Sequence, residues 1–210
     1  YKKCCRRLDL LLRGTDGSES LCAACEKGDV NAMNALLAAG VDVNCKNVKG
    51  WTPLVFACFC GRVNSLNVLL ARKEIQINQA MNDGRTPLFM ACQEDHVKVV
   101  NALLARKEIQ INQTANDGCT PLTIACEKGS AKVINVLLAR EEIQINQAKK
   151  DGATPLYMAC QNGRVKVVKA LLINKEIDIN KQFKGITPLE KAIEEGQAEI
   201  VALLQQHGTK

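Results

Sequence analysis

The sequence predicts an all-helical repeat solenoid, and three recurrences predict it. Thr-Pro-Leu stands at 52–54, 86–88, 120–122, 154–156 and 187–189, with a degenerate Glu19-Ser20-Leu21 in the slot before them. An Ala-Cys pair ends in Cys25, Cys58, Cys92, Cys126 and Cys160, at intervals of 33, 34, 34 and 34 residues. Between one Thr-Pro-Leu and the next, the apolar residues trace two short helical stripes and then an alternation. A fixed period carried through six copies marks units that cannot bury their apolar faces alone and therefore stack.

Within a copy each element has a local cause. In the third, Thr86 is a good N-cap and Pro87 occupies the first helical position, where its missing N–H costs nothing. Leu88, Ala91 and Cys92 then share one face of a first helix of about two turns. That helix stops at a glycine suited to a left-handed conformation in most copies, Gly28, Gly61, Gly129, Gly163 and Gly196, whereas the third copy carries Asp95 there. A second helix follows, apolar at Val97, Val100, Leu103 and Leu104 and polar at Lys98 and Asn101. The period then changes to two at Ile109 and Ile111, and Asn116-Asp117-Gly118 supplies a turn suited to a hairpin tip.

These motifs, Gly-x-Thr-Pro-Leu-x-x-Ala, a glycine-broken helix pair ending in Leu-Leu, and Ile/Val-x-Ile/Val-Asn before the next tip, resemble the ankyrin family over residues 17–210. The resemblance implies helix-turn-helix units joined by β-hairpin loops in a curved stack with a concave groove. Units are expected at 17–49, 50–83, 84–117, 118–151, 152–184 and 185–210, the last a C-terminal cap because Gln205, Gln206 and His207 replace apolar residues. Two departures concern packing: Lys73-Glu74-Ile75, Lys107-Glu108-Ile109 and Glu141-Glu142-Ile143 add a residue at the second-helix exit, and cysteine replaces the usual second alanine of the first helix. Residues 1–16 form a basic lead in which Arg7 to Gly14 reads either as a degraded half-repeat or as a simple basic helix. Because the sequence starts at Tyr1, we expect it to belong to a longer protein, and to be a monomeric array within it.

Charge and chemistry narrow the function classes. Lysine and arginine number 28 against 22 acidic residues, a formal charge of +6, which falls short of a nucleic-acid-binding signature. No apolar run reaches the ~20 residues of a membrane span. The eleven cysteines are expected to be reduced, since stacked repeats hold equivalent cysteines farther apart than the ~7 Å a disulfide tolerates. A reducing, intracellular location, cytoplasmic or nuclear, follows as an expectation. His96 and His207 lie in different copies, so neither a catalytic triad nor a histidine metal site is indicated. Cys22-x-x-Cys25 lacks a second pair and reads as core, Lys128-Gly129-Ser130 lacks a phosphate-binding glycine loop, and Asn112-Gln113-Thr114 matches a glycosylation acceptor only by accident of the repeat. No catalytic residue, cofactor or metal is expected. From the resemblance alone, Asn44, Asn78, Asn112, Asn146 and Asn180 match asparagines that are hydroxylated in some animal members.

The resemblance implies a partner surface made of hairpin tips and first helices, so specificity is sought at positions there that differ between copies. Residues 71–79 and 105–113 are identical, which moves specificity away from the second-helix exits. The slot before Thr reads Trp51, Arg85, Cys119, Ala153, Ile186; the slot after Leu reads Val55, Phe89, Thr123, Tyr157, Glu190; four residues on stand Phe59, Gln93, Glu127, Gln161, Glu194. Partner contact is expected from Trp51, Val55, Phe59, Arg85, Phe89, Gln93, Glu127, Tyr157 and Gln161, with Lys149, Lys150 and Phe183 at the tips. Phe89 and Tyr157 also admit a reading as rings packed on the adjacent copy. The expected function is a non-enzymatic scaffold for a protein or peptide. Alternatives are a targeting module of a larger enzyme or microbial effector, or binding of nucleic acid or anionic membrane through the lead and the outer-face Lys98, Lys132 and Lys166.

Overall fold

The structure, a computed structural model, describes residues 17–208, and within them twelve helices form six pairs. The first helices of the pairs are α1 (Gly17–Lys27), α3 (Pro53–Phe59), α5 (Pro87–Gln93), α7 (Pro121–Lys128), α9 (Pro155–Gln161) and α11 (Pro188–Glu194). The second helices are α2 (Val30–Ala38), α4 (Val63–Leu70), α6 (Val97–Leu104), α8 (Ala131–Leu138), α10 (Val165–Leu172) and α12 (Ala198–Gly208). First helices stack on first helices and second on second, giving two rows. The basic lead, with Cys4, Cys5 and the segment from Arg7 to Gly14, lies outside the described residues.

The Thr-Pro motif starts helices as the sequence predicts. The hydroxyls of Thr52, Thr86, Thr120, Thr154 and Thr187 accept from the backbone N–H three residues on at 3.0–3.2 Å, each with proline in the first turn. Such a cap is worth about 1 kcal/mol per helix. Between the rows lie Leu54, Ala57, Cys58, Leu66 and Leu69 of one copy and their equivalents in the next, all buried. At about 1.5–3 kcal/mol per fully buried leucine, this continuous seam is the main source of stability, and each copy obtains it only through its neighbours.

A second bonding system runs along the stack. Asn44, Asn78, Asn112 and Asn146 each donate to a carbonyl of the next copy (Glu74, Glu108, Glu142, Glu176) at 2.6–2.8 Å. Each also accepts from a backbone N–H two residues beyond that carbonyl, at 2.8–3.0 Å. The tips join the same way: Asn82 N–H donates to Lys49 O, Asn116 N–H to Asp83 O and Lys150 N–H to Asp117 O. Neighbouring copies are therefore locked at both the core and the tips.

The stretches with period two form no strand ladder. Among the described residues the only β-pairing is an isolated bridge, Phe183 with Ile186. The alternation instead records side-chain insertion, with Ile77, Ile111 and Ile145 buried under the loops. The bridge arises where the repeat is one residue shorter: Lys184 and Gly185 both take positive φ, closing a two-residue turn.

The first-helix break holds a further contact. Arg62 Nε donates to Glu26 O at 2.8 Å, Arg164 Nε donates to Glu127 O at 3.0 Å, and His96 Nε2 lies 3.0 Å from Phe59 O. These side chains lie against the break glycine of the preceding copy: a Cβ on Gly61 would sit 2.7 Å from the His96 ring. Glycine is thus required there twice, by its φ of 66° and by the close approach. In the third copy Asp95 adopts the left-handed conformation, φ 58°, and the residue at the matching register of the next copy is Ser130, too short to crowd it.

Candidate partner-binding surface

The face made by the tips and first helices has one well-built feature, centred on Trp51. The Asn47 side chain accepts from Trp51 N–H at 2.9 Å, and Asn47 N–H donates to Trp51 O at 3.1 Å, so the tip base holds the indole in place. The ring centroid lies 4.9 Å from that of the buried Phe56 and 5.2 Å from that of Phe59, the latter edge-to-face. Trp51 and Phe59 are half-buried, supported from beneath and open above. Phe59 is fixed further because its carbonyl meets His96 of the next copy. The indole N–H has no acceptor among the described residues. Val48, in the tip that precedes Trp51 in the sequence, is 89% exposed.

Three expected contact residues are not on the open surface. Val55, Phe89 and Tyr157 are buried, with exposures of 0–2%. The slot after Leu faces the following copy, so whatever stands there is covered; Cys22 and Thr123 at the same register are covered as well. Glu190, in the last described pair, has no described copy over it and is exposed. Phe89 supports Arg85, whose guanidinium carbon lies 5.6 Å from the ring centroid, and the Tyr157 ring lies 4.9 Å from that of Phe183. Burial raises the Tyr157 pKa, as it does those of the core thiols Cys58, Cys92, Cys126 and Cys160.

The remaining expected residues reach solvent to differing degrees. Gln93, Glu127, Arg85 and Phe183 are half-buried, while Gln161 and Lys150 are exposed. Arg85 approaches Asp83 at 3.5 Å, and Lys149, half-buried, bridges Asp117 at 3.9 Å and Asp151 at 3.6 Å across two tips. Lys149 is therefore committed to joining copies. Among the described residues three large apolar side chains are exposed that the sequence does not single out, Val48, Ile173 and Ile193, because single apolar residues in a tip, at a helix end or in a polar helix carry no period.

Elsewhere Lys98, Lys132 and Lys166 are exposed on the second helices, and Arg106 Nη1 donates to Leu70 O of the preceding copy at 2.8 Å. Among the described residues no group of three or more His, Cys, Asp or Glu side chains is placed to hold a metal, and no helix is long and apolar enough to cross a membrane.

A stack of helix pairs with bonded tips and a fixed first-helix face defines the class of repeat scaffolds. The sequence matches the family model for ankyrin repeats over residues 3–81, 21–115, 74–149, 107–183 and 142–210, and the chain belongs to that family. It is similar to the crystal structure of the human ASB11 ankyrin repeat domain, with a TM-score of 0.77 and 29% identity, covering 90% of this chain and 83% of that one. No curated protein matches the sequence significantly. Ankyrin repeats generally serve as protein–protein interaction modules, and the fold is typically non-enzymatic.

Proposed function

We propose that the chain is a recognition scaffold which holds a protein or peptide on its first-helix face, the concave face of an ankyrin array, within a larger protein in a reducing cellular compartment. The six units divide as 17–49, 50–83, 84–117, 118–151, 152–184 and 185–210. The observation that carries the reading is the Trp51–Phe59 pair. It is a preorganised aromatic platform, half-open, whose indole N–H has no acceptor among the described residues. Interface energy concentrates at such sites, because a rigid aromatic side chain loses little entropy on binding.

Arg85, Gln93, Glu127 and Gln161 continue the surface along the first helices, with Lys150 and Phe183 at the tips. Val55, Phe89, Tyr157 and Lys149 support it from beneath or from the side. The test is affinity capture from cell lysate with wild type and Trp51→Ala/Phe59→Ala, after circular dichroism shows equal helicity. Retention of a partner by wild type and its loss by the variant is the expected result. Equal capture by both refutes the reading.

A further inference from the structure

We propose that Cys22 and Cys45 are a modification site, a pair of thiols that a low-molecular-weight disulfide such as oxidised glutathione converts reversibly to a disulfide, and that this link shifts the tip carrying Trp51. Its use in regulating a partner rests on the recognition reading above; the link and the shift do not.

The argument begins with where the two side chains meet. Cys45 follows Asn44 in the loop between α2 and the tip, and its Sγ reaches back to α1, 3.9 Å from Ser18 O. Cys22 stands four residues after Ser18, about one turn along the same face of α1. Its thiol is hydrogen-bonded to that of Cys45. Stacking keeps equivalent cysteines of different copies apart, but these two occupy different registers of one copy. Thiols already in contact close to a disulfide with little backbone movement. No other copy has thiols at both registers: the second has Val55 and Gln79, the third Phe89 and Gln113.

Access to the pair is one-sided. Cys22 is 2% exposed, whereas Cys45 is half-buried. That opening does not depend on what precedes α1, because Gln79, Gln113 and Gln147, at the register of Cys45 in copies flanked on both sides, are half-buried too. The hydrogen bond to Cys45 and burial hold the Cys22 pKa far above the usual thiol range, so Cys22 stays protonated and does not meet an oxidant by itself. Oxidation therefore enters at Cys45. The Cys45 sulfur attacks one sulfur of glutathione disulfide, and one glutathione leaves as thiolate and takes up the proton that Cys45 lost. The Cys22 sulfur then attacks the Cys45 sulfur of the mixed disulfide, and the second glutathione leaves with the Cys22 proton. Two protein thiols are oxidised and one glutathione disulfide is reduced to two glutathione thiols. Excess reduced glutathione runs the same steps backward.

The link acts on the tip because the residues around Cys45 are bonded in place. Asn44 donates to Glu74 O, Lys46 Nζ donates to Ala80 O at 3.1 Å, and Asn47 holds Trp51 through its side chain and its backbone N–H. Closing the pair brings the two sulfurs to about 2.05 Å and draws Cys45 toward α1. Two residues on, that movement reaches Asn47 and with it the indole. The link also encloses α2, so that helix can no longer open without α1 and the tip.

The experiment equilibrates the full chain in glutathione buffers of rising oxidised fraction, quenches free thiols by alkylation and maps the linked peptides by fragmentation mass spectrometry. Trp51 is the single tryptophan, so its emission reads the tip directly. Wild type is expected to form the Cys22–Cys45 link and lose it in dithiothreitol, with Trp51 emission shifting in step with the linked fraction. Amide protection in α2 should rise by about a hundredfold on linking. Cys22→Val and Cys45→Gln, which install the residues that the second copy carries at these registers, should fold with equal helicity and show none of these changes. Glutathione retained on Cys45 without a link, a link to Cys25 instead, or the same emission shift in both variants overturns the pair. A link that leaves Trp51 emission unchanged overturns its coupling to the tip. The recognition reading survives each of these failures, because capture with Trp51→Ala/Phe59→Ala is carried out on reduced protein.

Discussion

The contact between a break glycine and the side chain of the following copy can be tested by moving a native exception. Gly61→Asp places a side chain where φ is 66°, at a cost of about 1–2 kcal/mol for the left-handed conformation. Its Cβ would meet the His96 ring at 2.7 Å, so the imidazole must swing away and give up its contact with Phe59 O, about 1 kcal/mol more. The single variant should therefore lose about 2–3 kcal/mol. His96→Ser alone forfeits the same contact and should lose about 1 kcal/mol. Together, Gly61→Asp/His96→Ser reproduces the Asp95 and Ser130 register of the third copy. The hydrogen bond is then lost once rather than twice, and the double variant should lose about 1 kcal/mol less than the sum of the singles. Urea unfolding followed by circular dichroism reads this, with the denaturant slope checked so that the midpoint can be converted to free energy. Strict additivity of the two substitutions would refute the proposed coupling.

Other expectations follow from the bonding along the stack. Asn112→Ala should cost about 1–2 kcal/mol, since it removes one bond to Glu142 O and one from Gln144 N–H, whereas Asn180→Ala, which has no described copy beyond it to bond, should change stability by less than about 0.5 kcal/mol; equal effects in chemical denaturation would deny the ladder its role. The Glu190 carboxylate accepts from Thr187 N–H and hydroxyl, which lowers its pKa below 4.5, so its stabilising contribution is complete above about pH 4.5 and is lost as pH falls through the lowered value. The protection of α11 amides, corrected for the pH dependence of intrinsic exchange, should accordingly fall on acidification in wild type, and this acid-dependent loss should disappear in Glu190→Gln. The side-chain oxygens of Gln79, Gln113 and Gln147 are buried at one register without a protein partner. Gln113→Met should therefore leave the unfolding midpoint unchanged or raise it, and a lower midpoint would mean that the oxygen is satisfied in solution.

How legible each feature was depended on whether its cause is local. Thr-Pro caps, glycine breaks and helical stripes act within a few residues, so the helices lie where the sequence puts them. The alternating isoleucines misled in detail, because burial under a loop and pairing in a strand leave the same period in the sequence. Position 59 stays half-buried while position 55 is fully buried, although both vary from copy to copy. Variation at the slot after Leu reflects how each pair of copies packs and not exposure to solvent.

A better signal was present in the same column. Cys22, Val55, Phe89, Thr123 and Tyr157 are uncharged where another described copy covers them, and the charged residue, Glu190, stands in the last described copy. The break column speaks in the same way, since its one exception, Asp95, is answered 35 residues later by Ser130 where other copies have Arg62, His96, Arg164 or Gln197. In a stacked protein the meaning of a residue depends on its equivalent in the next copy, so columns have to be read in adjacent pairs. Read that way, Trp51 and Phe59 differ from Val55 and Phe89. No neighbouring copy closes over them, and aromatic area kept half-open on a fixed support is available for a partner.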